Sequence, residues 1–252
     1  MMEHILKFEI YSFLFVFLRI GSSLIFMPGF QSSYVPMRVK LLIAITISLI
    51  LVPFLSKNLP PQPNDLLHFS TICLIEITYG VFMGLVMFAL FSALNMVGNF
   101  AGQAIGFANA QIFDPNTQNQ SMLIEVFLTI IALTIIFITD MHHLMIGGVI
   151  DSYNLFPIGS PLPIEDFTKF FSETVNSSFV MGFKIASPFI AFMLVFYSGL
   201  GLITRLMPQL NVFFLSLPMQ IYLGLGLLLI TIPIMMMWFL KYYEEGIMKF
   251  IS

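Results

Sequence analysis

Apolar residues run on for a helix length or more along most of the chain, and proline, glycine and amides mark the breaks. The first run, Ile5 to Phe26, carries Arg19 in its interior and stops at the turn pair Pro28-Gly29. The second runs from about Pro36 to Leu55. Arg38 and Lys40 lie at its start, where the helix dipole disfavours cations, so they suit lipid headgroups or a partner better than the helix itself. Pro60, Pro61 and Pro63 make the next stretch a loop. The third run goes from near Asp65 to about Ala110, with no charge between Glu76 and Asp114. At about 1.5 Å per residue it is longer than a bilayer core of about 30 Å requires, so it must tilt, break or extend beyond the membrane.

The fourth helix is predicted over about Ser121 to Ile138, carrying Glu125, with an end or partial break at Asp140-Met141-His142-His143. Helix resumes from Leu144 to Tyr153, and Asn154 to Pro163 is a proline-rich loop. Ile164 to Ser178 is the most amphipathic stretch. A helix follows from about Phe179 to Met207, bent or locally opened near Pro188. Pro208 marks a sharp transition, and the last region, Gln209 to Phe250, contains Pro218 and Pro233 and is expected to be kinked.

Composition turns this pattern into a class. The 252 residues are 58% hydrophobic and only 9% charged, with mean hydropathy +0.96. A soluble domain carries about 25% charge, so an all-α membrane-type protein is expected. A net charge of −3 gives a nucleic-acid partner no electrostatic support. Cys73, the single cysteine, excludes an intrachain disulfide and reads as a small core hydrophobe. At the N-terminus, Glu3 and Glu9 offset Lys7 and no small-residue cleavage site follows, so a retained first helix is expected.

One stretch departs from the apolar background. Between Gly98 and Gln120, the glycines Gly98, Gly102 and Gly106 fall four apart, beside Asn95, Asn99 and Gln103 at the same spacing. Asn109, Gln111, Asn116, Gln118, Asn119 and Gln120 follow, with Asp114 the only charge. The glycines suit close helix packing, which Gly80 and Gly84 continue upstream. The amides suit a surface that hydrogen-bonds without selecting charge. Phe113-Asp114-Pro115-Asn116 is a turn signal.

The order of motifs resembles the FliR family of flagellar export-gate proteins. Val35-Pro36-Met37-Arg38-Val39-Lys40 is similar to its segment after the first helix, and Asp114-Pro115 to its central loop. His143-Leu144 and Leu155-Phe156-Pro157-Ile158-Gly159 follow in order. The longest match runs from Gly199 through Arg205, Pro208, Gln209 and Asn211 to Phe213. Ser216-Leu217-Pro218 stands where the family has a glycine two residues before the proline.

The resemblance implies one domain over residues 1–252 made of long kinked helical hairpins. Residues 1–158 resemble a FliP-like helical unit and 159–252 a FliQ-like hairpin. It implies a noncatalytic core subunit of a bacterial flagellar type III export gate in the inner membrane, at the flagellar basal body. FliP-like, FliQ-like and FlhB-like subunits, membrane lipids and unfolded export substrates would be its partners, and no cofactor is expected. The pore plug would comprise Phe107, Asn109, Gln111, Ile112, Phe113, Asp114, Pro115, Asn116 and Gln118, with the two apolar residues Ile112 and Phe113 helping to fill a closed lumen. Against it stands an ordinary surface turn. Rival readings are a virulence-injectisome gate subunit, a small-solute or ion transporter, and a membrane scaffold that never meets cargo.

Arg205 and Arg19 are costly within apolar segments unless paired or wet. For Arg19 the alternative is snorkelling to an interface. For Arg205 the expectation is a bond holding the proline corner or an ion pair with another subunit, with Glu76 and Glu125 as candidate carboxylates. Pro208, Gln209, Asn211 and Pro218 are read as an assembly motif in which side-chain amides serve carbonyls freed by proline. Asp140, His142 and His143 lack a recognised metal-ligand spacing and read as a polar helix end, so no metal is expected. Met235, Met236 and Met237 read as adaptable packing.

Overall fold

The computed structural model describes residues 2–31, 35–55, 65–106, 122–207, 209 and 212–249, with side chains from Ile10 onward except at 122 and 212–215. Every regular element among them is helical. The order is α1 (Met2–Phe26), α2 (Met37–Leu55), α3 (Leu66–Ile105), α4 (Met122–Ile138), α5 (Met141–Leu155), α6 (Ile164–Leu206) and α7 (Val212–Met248). Four of these helices are long and apolar enough to cross a membrane, or up to five spans if α4 and α5 are counted as one broken span. The all-α, membrane-type class expected from the apolar runs is therefore what the chain adopts.

The helix ends follow local chemistry. Gly29 takes φ 88° after α1, and Phe30 N donates to Met27 O at 3.1 Å, closing the turn that Pro28 begins. Pro36 precedes α2 and its carbonyl accepts from Val39 N at 2.9 Å; its missing N–H is no loss at a helix start. Gly106, at φ 91°, ends α3. Asp140, at φ 57°, holds a left-handed backbone between α4 and α5, so the expected partial break is a true interruption. Glu165 and Asp166 occupy the first turn of α6, where the dipole favours acids.

Pro188 lies inside α6, and the helix is assigned without interruption over its 43 residues. Proline removes the N–H that would bond the carbonyl four residues back, that of Lys184. Ser187 Oγ donates to that carbonyl instead, at 2.8 Å. The replacement donor comes from the residue beside the proline.

The chain forms two compact units, one comprising residues 1–90, 140–175 and 244–252, the other 91–139 and 176–243. In the first, α1 packs on α2, and Val16, Ile20 and Leu24 of α1 are buried together with Met83 and Met87 of α3 and Met145 and Val149 of α5. In the second, Ile124, Leu128, Ala132 and Ile136 form one buried edge of α4 at four-residue spacing. The opposite edge is apolar too: Leu123, Phe127, Ile130 and Phe137 are exposed. Met235 and Met236 are core residues, whereas Met237 is exposed.

Ser187→Ala should weaken α6 at Pro188 by about 0.5–1.5 kcal/mol, the net worth of one hydrogen bond. Faster amide hydrogen exchange confined to the turn around residue 188 is the expected signal. Unchanged exchange would mean the Lys184 carbonyl does not need the hydroxyl.

Candidate functional site

Two clusters of polar and glycine residues stand out, one in each unit. In the first unit, Arg19 is fully buried and meets Glu76, also fully buried, with Nε donating to Oε2 at 2.7 Å. Arg19 Nη1 donates to Phe156 O at 3.0 Å and lies 3.3 Å from both Ser152 O and Oγ. The guanidinium carbon sits 4.1 Å from the ring centre of Tyr153 and 4.7 Å from that of Tyr79. The rings offer their negative faces to the cation. The second carboxylate oxygen, Glu76 Oε1, accepts from Gly159 N at 3.4 Å. Tyr79 Oη donates to Pro161 O at 3.1 Å and lies 3.0 Å from Ser160 Oγ. Thus α1, α3, α5 and the loop after α5 converge on one charge pair.

Glycines make this convergence possible. A Cβ at Gly80 would collide with Ser22 Oγ and the Arg19 carbonyl, and one at Gly84 would lie 2.6 Å from the Ser23 carbonyl oxygen. The backbones of α1 and α3 are in contact there. A larger residue would lift Glu76 away from Arg19.

In the second unit, the C-terminal half of α3 carries the glycine and amide pattern. Gly98 is buried against the backbone of α4: a Cβ would lie 2.5 Å from Glu125 Cα. Gly102 is buried as well. Gly106 faces Gln220 of α7, whose Cδ would be 2.9 Å from an added Cβ. Gln220 is buried, and its Nε2 donates to Ala104 O at 3.1 Å and lies 3.4 Å from Gln103 O. It therefore serves the Ala104 carbonyl at the end of α3, while the Gln103 carbonyl also accepts from Gly106 N at 3.0 Å. Tyr197 Oη lies 3.2 Å from the same nitrogen, bringing α6 to the junction. Sequence reasoning missed Gln220. Its signal was an amide two residues after Pro218 in an otherwise apolar helix.

The amide stripe divides. Asn95 is half-buried and accepts from Thr129 Oγ1 at 3.4 Å. Asn99 is exposed and accepts from Gln103 Nε2 at 2.6 Å. Only the outer part of the stripe is open to another molecule.

Family membership follows from a match over nearly the whole chain. Residues 10–246 match the family described as bacterial export proteins, family 1. The chain belongs to that family. It is 32% identical to flagellar biosynthetic protein FliR of Caulobacter vibrioides over 214 residues, 85% of each protein. It is 29% identical to FliR of Bacillus subtilis over 213 residues, 83% of this chain and 82% of the other. Yop proteins translocation protein T of Yersinia pestis is 29% identical over 147 residues, 58% of this chain and 56% of that protein. The family drawn from the ordered motifs is thus the right one.

The family's other expected site residues fall unevenly on the structure. Phe107, Asn109, Gln111, Ile112, Phe113, Asp114, Pro115, Asn116 and Gln118 lie outside the described residues, as do Pro208 and Asn211. Arg205 is exposed in the last turn of α6 and has no ion pair among the described residues. Glu76 belongs to Arg19 and is not available to Arg205. Gln209 is exposed, and Pro218 is exposed within α7. Arg19 does not snorkel to an interface: the buried carboxylate gives it a better partner than lipid headgroups. Asp140, His142 and His143 bring one ligand atom each within 4.8 Å of one another, with Asp140 and His143 largely exposed. The N-terminal end of α5 at which they sit disfavours a cation.

Replacing one member of the buried pair leaves the other uncompensated. Arg19→Met or Glu76→Leu alone should cost about 3–5 kcal/mol, while the double replacement should cost well below the sum. Thermal unfolding of the purified protein in detergent measures all three; strictly additive losses would deny the coupling. Gly98→Val should cost about 1–3 kcal/mol through overpacking against Glu125. Gly147→Val, where nothing lies within 4 Å of an added Cβ, is the control expected to pack without a clash.

Proposed function

We propose that this chain is a core subunit of the flagellar type III protein-export gate in the bacterial inner membrane, at the flagellar basal body. The carrying observation is the family match over residues 10–246, joined to relatives that are flagellar biosynthetic proteins over more than four-fifths of the chain. The apolar helices suit a membrane-embedded subunit. FliP-like and FliQ-like subunits, with an FlhB-like one, are its proposed partners, and unfolded flagellar proteins its cargo. The division into a FliP-like part, residues 1–158, and a FliQ-like hairpin, residues 159–252, belongs to the same proposal. Its role is noncatalytic: it shapes and closes a conduit and performs no bond chemistry.

Within that reading, Phe107 to Gln120 is the plug. Support comes from the sequence, which sets amides and the Asp114-Pro115 turn after a stem whose last turn is pinned. The structure adds only the stem: α3 ends at Gly106, with Gln220 holding its terminal carbonyls. A closure element needs a rigid attachment, because a loop on a fraying helix would leave the conduit open part of the time. The virulence-injectisome reading has the translocation protein of Yersinia pestis in its favour, but that similarity covers 58% of this chain against 85% for the flagellar relative of Caulobacter.

Deletion of residues 113–118 should leave the assembled complex intact and raise ion leakage across the membrane at least severalfold. Conductance of membranes bearing the purified assembly measures this. A complex that assembles and stays tight would remove the plug role. A strain lacking the whole chain should lose flagellar filaments; retained filaments with lost effector secretion would move the protein to an injectisome.

A further inference from the structure

We propose that Asp140, His142 and His143 form a binding site for a divalent transition-metal ion of the zinc class, held by two imidazoles and one carboxylate at the start of α5. Their spacing along the chain matches no recognised ligand pattern. The folded chain nevertheless brings the ligands together.

Each of the three side chains places one ligand atom within 4.8 Å of the other two, and no other group of three His, Cys, Asp or Glu side chains among the described residues does so. The separations suit shared coordination better than hydrogen bonding. Asp140 Oδ1 lies 3.6 Å from His143 Nδ1, beyond the range of about 2.7–3.2 Å for an N–H···O bond. Two ligands of a tetrahedral ion with bonds of about 2.0–2.1 Å stand about 3.3–3.4 Å apart. Neighbouring residues on a helix do not face one another. The imidazole rings of His142 and His143 nonetheless lie 4.1 Å apart between centres, with 36° between their planes.

Asp140 supplies a second, separate observation. It holds the N-cap position of α5, where an aspartate ordinarily accepts from N–H groups of the first turn. Its carboxylate makes no cap bond. The His143 N–H is served by the Asp140 main-chain oxygen instead, at 2.9 Å. The carboxylate, released from capping, stands against the imidazole of His143.

The donor set selects the ion. Imidazole suits zinc, copper, iron and nickel, whereas magnesium and calcium require a shell of oxygens that one carboxylate does not provide. Asp140 is 75% exposed and His143 71%, so the site is open to an incoming ion, and a water can complete a tetrahedron as the fourth ligand. The positive end of α5 opposes a cation, and Asp140 offsets this with its own charge at the same end. A bound ion ties Asp140 to the first turn of α5 and so holds the left-handed turn, φ 57°, with which that helix begins.

The test uses the full chain, purified in detergent without a polyhistidine tag and stripped with a chelator, and Zn²⁺ alone as the probe. Calorimetric titration in the presence of excess Mg²⁺ should give one Zn²⁺ per chain. His142→Ala, His143→Ala and Asp140→Asn should each weaken binding about tenfold or more, since each removes a ligand. His68→Ala, at an exposed histidine far along the chain, should leave binding unchanged. X-ray absorption at the zinc edge should show two imidazoles and at least one oxygen. Zn²⁺ should raise the thermal midpoint of the unaltered chain and leave that of Asp140→Gly where it is. Glycine accepts the left-handed backbone without steric cost, so Asp140→Gly keeps the test valid if an alanine variant fails to fold.

Binding no tighter than about 1 mM, binding that survives Asp140→Gly and both histidine replacements, or loss of binding in His68→Ala would each overturn the inference. So would a zinc edge showing oxygen ligands alone.

Discussion

Arg19 and Glu76 sit 2.7 Å apart with no exposure to solvent, and the first unit is arranged around the need to keep them together. A charge buried alone is far costlier than any single packing contact. Both groups therefore draw in further polar partners. The loop after α5 supplies the Phe156 carbonyl to the arginine and the Gly159 N–H to the glutamate. The tyrosines of α3 and α5 supply ring faces. The loop is consequently ordered by the pair, and so is the approach of α1 to α3. Gly80 and Gly84 are the steric condition for that approach, since any side chain there would force Glu76 out of reach. Charge, glycine and loop form one constraint.

The second unit relies on a different device. It has no buried ion pair among the described residues, and its helices meet through backbone contact instead. Gly98 lets α3 touch α4 at Glu125, and Gly224 of α7 brings Ile105 Cα to 2.8 Å of an added Cβ. Such approaches gain dispersion contacts without relying on hydrophobic expulsion from water, which suits helices surrounded by lipid or by other apolar helices. Gln220 then does for the end of α3 what water does in a soluble protein. Ser187 does the same for the carbonyl beneath Pro188. In both cases a polar side chain donates to a helix carbonyl from outside the backbone ladder.

These devices leave much apolar surface uncovered. Both edges of α4 are apolar, and α6 exposes aromatic residues beside a lysine. A chain that keeps one ion pair inside and presents this much hydrocarbon outward is built for surroundings other than water. For a member of an export family, an assembled complex supplies such surroundings.

Much was legible in the sequence because it rests on local rules. Most helix positions follow from apolar runs, and the stops at Pro28-Gly29 and after Leu155 from turn residues. However, α3 ends at Ile105, short of the expected Ala110, and α6 begins at Ile164, where only an amphipathic stretch before a helix from Phe179 was expected. The family follows from motifs read in order. The pairing of Arg19 with Glu76 was not legible: 57 positions separate them, and Glu76 stood only as one of two candidate carboxylates for Arg205. Gln220 was missed for the same reason, since the carbonyls it serves lie more than a hundred residues away. The Ser187 hydroxyl on the Lys184 carbonyl beneath Pro188 is likewise a detail that a proline rule does not anticipate. The sequence by itself determined that the chain is helical, where most of its helices lie and which family it joins, because those depend on neighbours along the backbone and on the order of motifs. Only the tertiary structure decided which charge meets which and which glycine touches which helix, because electrostatic and steric partners are chosen by distance in space.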